Sequence, residues 1–502
     1  MRFRRTLALV GVGLLGLALG PWVLLLALAS LGARRVRAWL RPSRRVTAYV
    51  VGVVLVLTGL VLVVPDGWLP MPPGSGVLVT PGYAGRPFLA RPVESAGSSR
   101  ATARPGPLGE SPEVDAAWSG LDRCASLVVD AHDRLVGSCG VGDHRSLRVV
   151  DARSLHVVAA KPLPDGVGGC AASDAVLDAG GRVVVATADR RLLVVGTADA
   201  DGDADLTTVA AHDLSAVVPR SDCVAGVAYG AGGRLWWASA GGRVGVVDTR
   251  SGRVRATDLG EHVANPVAAG QGGAWVVTTE ALYRLGTGPD GNPRVEWRTA
   301  YDRGSGRKPG QLDQGSGTAP TLLPGGLVAI ADNADPQVHV EFYRAATGGL
   351  VCRQAVFGDD RGAVENDLVA VGRGVVVANS HGYGGPLATS FGRTTVGGLA
   401  RVDVVGGDCS VRWTSAEVAP AAAPVLSLAT GLLYTWTKPH SWWGADAWYL
   451  TAIDVRTGRT AFRVRGGLGW WRDSSRGAVT LAPDGTAYVA TLGGLVRVRD
   501  RS

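Results

Sequence analysis

Asp484-Gly485-Thr486-Ala487-Tyr488-Val489-Ala490 reads as a tight turn, a run of β-formers and a small residue, and the chain repeats this phrase along most of its length. Gly233-Arg234-Leu235-Trp236-Trp237-Ala238 and Gly273-Ala274-Trp275-Val276-Val277-Thr278 carry it, as do segments beginning at Asp133, Gly181, Gly325, Arg373 and Gly431. Successive copies lie roughly 50 residues apart, a period that belongs to propeller blades or a solenoid. A short apolar strand precedes each copy. Another follows and ends in Asp and a turn, as in Val246-Val247-Asp248-Thr249-Arg250-Ser251-Gly252. Four strands per repeat are the content of a propeller blade, so an all-β, eight-bladed β-propeller is expected over 116–502; a solenoid would use shorter repeats. The last repeat has strands near Ala478–Leu481, Thr486–Ala490 and Leu495–Arg499, and then lacks its outer strand. A ring has to close to leave no bare edge. A strand from the N-terminal side, Val77-Leu78-Val79-Thr80, is expected to complete blade eight.

The 502 residues carry 51 Lys and Arg against 43 Asp and Glu, a formal charge of +8. That excess is local. Residues 1–65 hold nine Arg and no acid, which leaves 42 bases against 43 acids in 66–502. A phosphate-binding surface needs a clustered basic excess, so the body argues against nucleic acid.

The basic end reads as a membrane anchor over 1–65. Spans are expected near 6–31 and 46–65, each uncharged or nearly so and about long enough for ~30 Å of hydrocarbon. The Arg-rich loop between them puts that loop in the cytoplasm and the body outside. The competing reading takes 1–29 as a cleaved signal peptide, ending in Ala27-Leu28-Ala29, with 46–65 as sole anchor. One or two N-terminal transmembrane helices therefore precede the propeller. Residues 65–115 hold ten of the 27 prolines, and 66–115 reads as an extended stalk that includes the ring-closing strand.

All six cysteines lie in the body, at wide spacing and without a C-x-x-C pair, which fits disulfides in an oxidising, extracytoplasmic compartment. Cys124 and Cys139 fall on adjacent strands of blade one. Cys170 and Cys223 begin the inner strands of consecutive blades, and Cys352 and Cys409 occupy matching outer-strand positions. These pairings are expected in that order.

Ala452-x-Asp454-x-x-Thr457-Gly458-x-x-x-Phe462 resembles the tryptophan-docking motif of quinoprotein-like (PQQ-type repeat) eight-bladed propellers, with Phe where that family has Trp; Asp248 and Gly252 keep weaker versions. The resemblance covers roughly 115–502 and implies architecture. It does not imply PQQ, because the adjacent cysteine pair of many alcohol-oxidising members is absent. Two stretches, Gly315–Thr321 through Asp332–Pro336 and Glu365-Asn366 through Tyr383-Gly384, are also similar to a family of bacterial propeller proteins to which no activity attaches.

Loops entering the innermost strands and loops leaving the second strands share one face of a propeller, around the channel mouth. Four of the five Asn fall there: Asn265, Asn333, Asn366 and Asn379, accompanied by Asp332, Asp335, Glu365, Asp367 and His381. Such oxygens suit a hard cation such as calcium, or sugar hydroxyls; as turn residues they would instead cap loops. Asp199-Ala200-Asp201-Gly202-Asp203-Ala204-Asp205 matches an Asp-x-Asp-Gly-x-x-Asp calcium loop, or else is a solvated acidic hairpin tip. Six of the 15 Trp, at 436, 442, 443, 448, 470 and 471, lie close together and offer blade packing or an exposed platform for an envelope protein, a carbohydrate or the membrane interface. No Gly-x-Ser-x-Gly elbow or His-Glu-x-x-His helix is present. The expected function is a membrane-anchored binding or interaction scaffold of the cell envelope. The alternative is an envelope enzyme, a calcium-dependent hydrolase or quinoprotein-like dehydrogenase, with its site at the channel mouth.

Overall fold

A computed structural model describes residues 2–501 except 41–43, 72–73, 95–99, 121–122, 125–126, 143, 166–174 and 179. The expected ring is there. Eight antiparallel blades follow the chain at 123–162, 176–213, 224–258, 268–300, 321–356, 369–415, 425–468 and 479–500. The repeated phrase is the second strand of each blade. Leu327–Ala331, Gly374–Ala378 and Ala487–Thr491 are buried throughout, because neighbouring blades cover both of their faces. A strand buried on both sides reads as a continuous apolar run. Outer strands meet solvent on one side and alternate, as Val157–Pro162 does.

The ring closes on a different strand from the one expected. Pro112–Trp118 supplies the outer strand of blade 8, with Trp118 opposite Gly494 and Pro112 opposite Asp500. Val77–Thr80 forms a turn, and the amides of Gly76, Val77 and Leu78 bond to the carbonyls of Leu17 and Ala18. The apolar run at 77–79 was the stronger β signal. An outer strand is half-exposed, however, and the mixed Pro112-Glu113-Val114-Asp115 pattern suits it better.

The rest of 66–115 lies along the ring. Leu69–Pro70 pairs outside Pro112–Trp118, and Tyr83–Gly85 pairs outside the outer strand of blade 7. Ala101–Thr102 runs parallel to the innermost strand of blade 7, inside the hub. Arg104 donates there to the carbonyls of Leu481 in blade 8 and Val129 in blade 1. Arg100 pairs with Asp367 before blade 6, so 100–104 plugs the channel. Prolines lack the amide a sheet interior needs, and this girdle uses only short edge pairings between them.

Contacts from an outer strand to the outer turn or outer strand of the next blade staple successive blades. Trp297 of blade 4 donates to the Ala345 carbonyl at 3.2 Å, and Trp413 of blade 6 donates to the Val455 carbonyl at 2.8 Å. Each indole lies against a glycine at positive φ, Gly348 or Gly458, where a Cβ would come within 2.6 or 2.5 Å of the ring. Between blades 5 and 6 the staple is the Cys352–Cys409 disulfide; Cys124–Cys139 closes blade 1. Cys223 is disulfide-bonded too, and Cys170 lies outside the described residues.

At the N-terminal end the expected span 6–31 is two helices, α1 (Arg2–Leu19) and α2 (Pro21–Ser30), followed by α3 (Arg34–Leu40) and α4 (Arg44–Val63). Gly20, at φ 124°, and Pro21 at the first helical position break the first span. Among the described residues no helix is long and apolar enough to cross a membrane.

Candidate functional site

One sector of the loop face is enlarged. Between the second and third strands, blades 2 to 4 need only residues 187–190, 240–242 and 278–280, whereas blades 5, 6 and 7 use 332–337, 379–398 and 438–446. The segments 301–320, 357–368 and 469–478 enter blades 5, 6 and 8 beside them. All nine mouth residues expected from sequence lie on this face, and most of them hold it together. Asn379 accepts from the amides of Ala363 and His381 and donates to the carbonyls of Arg361 and Gly397. Asn333 donates to the carbonyls of Arg303 and Gly306, and Asn265 to that of Ser316. Asn366 donates to Ser380, while Asp367 takes the Arg100 plug and the Ala319 amide. Asp332 accepts from the His339 amide and ring. The Ser305 amide, with Lys308 close by, holds the Asp335 carboxyl below the usual range.

Glu365 and His381 differ from the others. Burial pushes the Glu365 carboxyl up to about 7 against a hydrogen bond from the Leu312 amide and the pull of Arg476, and its Oε2 has no hydrogen-bond partner. Burial, with Arg361 and Lys308 nearby, pushes the His381 imidazole down, and its Nδ1 is likewise unpartnered. Glu365 feels Asp313 and Arg476, whereas His381 feels Lys308, Arg361 and Asp360, so the two sit in separate surroundings.

Two buried hubs that the motif reading passed over fix the long loops. Asp446 accepts from the amides of Phe391 and Gly392 and pairs with Lys438 at 3.1 Å, tying 379–398 to 438–446. Lys438 is fully buried and also donates to the Arg393 carbonyl; burial pushes its pKa down against the pull of Asp446. Asp473 takes hydroxyls from Tyr383 at 2.8 Å and Thr389 at 2.9 Å and the Ser475 amide at 2.7 Å, tying 379–398 to 469–478. Burial raises its pKa. The sequence held one signal for the first hub. Lys is used only three times, and at 308 and 438 its ammonium reaches a loop carbonyl.

These hubs present apolar side chains outward. Leu387 is 76% exposed, Phe391 56%, Trp442 88% and Trp443 55%. The pairing of Ser441 with Gly392 brings the two loops side by side. Of the six clustered Trp, Trp436 and Trp448 are core, Trp471 packs against that core, and Trp442, Trp443 and Trp470 are exposed. On the far side of blade 2, the Asp199–Asp205 loop spends Asp199 Oδ1 on the amides of Asp201 and Asp203 and Asp205 on the Thr207 hydroxyl. Among the described residues no group of three or more His, Cys, Asp or Glu could hold a metal ion.

No family model matches the chain. An uncharacterized protein of Archaeoglobus fulgidus is 27% identical over 316 residues, which span 55% of this chain and 60% of that protein. Saccharomyces cerevisiae Sqt1 superposes with a TM-score of 0.52 at 11% identity, covering 77% of this chain and 97% of Sqt1. Moraxella catarrhalis BamB gives 0.42 at 14% identity, covering 65% and 95%. At these identities the likeness is one of fold.

Proposed function

We propose that this protein is an extracytoplasmic β-propeller scaffold, held at a membrane by its N-terminal helices, that offers the loop face of blades 6 and 7 to a protein partner at that membrane. The pinned apolar patch of Leu387, Phe391, Trp442 and Trp443 carries the reading, because side chains this exposed on loops this well fixed suit a preorganised contact surface. The helices point the same way. Gly20, at the α1–α2 junction, lies against the Trp443 carbonyl, where a Cβ would come within 2.7 Å, and Trp22 approaches Gly444. Leu14, Leu26, Leu28 and Val63 leave more than half of their surface bare, as side chains destined for lipid do. The two disulfides favour an oxidising compartment.

A photo-crosslinker at Trp442, compared with one at Arg220 on the opposite side of the ring, tests the surface; flotation of the full chain with vesicles tests the anchoring. Adducts to one membrane-fraction protein from position 442 alone, with co-flotation, are expected. Equal labelling from both positions, or carbohydrate alone as the captured species, would refute the protein-partner reading.

The second reading, a hydrolytic enzyme at the channel mouth, is favoured by one observation, the buried Glu365 carboxyl pushed up to about 7 with its Oε2 lacking a hydrogen-bond partner. It requires a hydrolytic activity that falls at least tenfold in Glu365→Gln while the thermal midpoint at pH 5, where the buried carboxyl is protonated, stays put.

A further inference from the structure

Gly67–Met71 crosses the outer edge of blade 8 and roofs a pocket of about 480 Å³. Its other walls are Val114–Ala117, the blade 1 turn around Arg153 and His156, Arg497 of blade 8, and Gly466 and Arg472 at the blade 7 end. No motif reading pointed to this place. Its charges are unequal. Asp115, the sole carboxylate in the lining beside three guanidinium groups and His156, is bound to Arg497 at 2.5 Å, and Arg497 also donates to the Ala152 and Arg153 carbonyls.

Arg472 has no such partner. It is 6% exposed, and its Nε and Nη1 are buried without an acceptor. Burial alone pushes its pKa down to about 10, with no carboxylate to offset it. The space around it is built by two consecutive glycines. A Cβ on Gly467 would lie 2.2 Å from Arg472 Nε, and one on Gly466 would lie 2.0 Å from the Trp436 ring. Trp436 Nε1 in turn donates to the Arg472 carbonyl at 2.8 Å and fixes its backbone. The chain has thus cleared room for a guanidinium in a wall and supplied nothing of its own to satisfy it. A buried, unpaired cation is costly, and a planar fork of N–H donors fits an oxyanion. Arg153, exposed at the rim, adds a second donor, and Trp68 stacks on His156 with ring centroids 4.2 Å apart.

We propose that this pocket binds a phosphate-bearing anion through Arg472, with Arg153 closing over it. Two sources share that chemistry: a free phosphate or phosphate monoester, and the headgroup of an anionic phospholipid. The lipid source is natural because the roof begins four residues beyond the end of α4 at Val63, but it alone rests on the membrane reading; the site does not.

The test uses the full chain in an uncharged detergent. Inorganic phosphate is titrated while the thermal midpoint is followed, and dihexanoyl phosphatidic acid, which is soluble below its micellar concentration, is titrated in parallel. Phosphate is expected to raise the midpoint of the parent protein and to leave that of Arg472→Met unchanged. Without phosphate, Arg472→Met is expected to melt at or above the parent, because an unpaired charge has been replaced by an apolar chain. Arg153→Ala leaves the fold intact and is expected to weaken phosphate binding at least fivefold. Binding of the short lipid tenfold or more tighter than phosphate assigns the headgroup; equal or weaker binding assigns the free anion. The proposal is overturned if neither compound shifts the parent, if Arg472→Met responds as the parent does, or if Arg472→Met melts well below the parent. Vesicle flotation is scored separately, so loss of membrane attachment does not disturb this result.

Discussion

Blades 2 to 4 and blades 5 to 7 are built from the same four-stranded unit and differ in what joins the strands. Between its second and third strands the first set turns on three or four residues, as at 240–242 and 278–280. The second set inserts 379–398 and 438–446 and then spends polar groups, the buried Lys438 and Asp473 and the part-buried Asp446, to hold them still. A propeller tolerates this because each sheet is already complete beneath the loop. Packing fixes the ring, and polar satisfaction fixes the sector that differs.

The largest expected effect concerns the covalent staple of the elaborated half. Cys352–Cys409 joins blades 5 and 6 across 57 residues, whereas Cys124–Cys139 spans 15 within blade 1. On loop-closure entropy, replacing the first pair with Ser should cost about 4 kcal/mol and the second about 3 kcal/mol, read by urea unfolding without reductant. The reverse order would mean that closing blade 1 on itself matters more than joining blade 5 to blade 6. Asp473→Ala should cost about 3 kcal/mol by stranding the Tyr383 and Thr389 hydroxyls. It should also expose 379–398 to protease before the ring unfolds; simultaneous cleavage across the chain would show that the loop is not a separate unit.

A pH titration sharpens the contrast further. Burial holds both Glu341 and Glu365, in and after blade 5, up at about 7, against 4.5 when unburied. The folded protein therefore binds these protons more tightly than the unfolded chain does. Stability is fullest below about pH 4.5 and falls as pH rises towards 7. Glu365→Gln should flatten that fall by about 2 kcal/mol, measured as the unfolding free energy at pH 5 and at pH 7.5. The smallest effect belongs to Trp442→Ala. Unfolding should move by less than about 0.5 kcal/mol, since the side chain is almost wholly exposed, while crosslinking to the partner disappears.

What the sequence made legible follows the same divide. The period of about 50 residues and the buried runs such as Val183–Ala186 specify the ring, because a strand covered on both faces must be apolar throughout. The closing strand was misplaced because an outer strand needs no strong β signal, and Pro112–Trp118 has none. The Asn-rich mouth was legible as a place. Its residues turned out chiefly to cap loops, as Asn333 and Asn379 do, since an amide that both donates and accepts is what a long loop needs. Asp446, Asp473 and Arg472 left no pattern to find. Each depends on a contact between distant segments, and a single Asp or Arg in a loop carries no trace of the partner it meets or lacks.

Closure by Pro112–Trp118 also fixes an order of events during synthesis. That strand is made before every blade, yet the edge it must meet, Gly494–Asp500, is made after every other strand of the ring. Until then seven blades can stack into an open crescent whose two ends stay bare, and the segment that will plug the hub has no hub to enter. The apolar helices ahead of it are exposed during that whole interval. A newborn chain therefore has to settle its greasy end well before its ring exists, and a truncation that removes only the final strand would leave the first-made and last-made blades without the join between them.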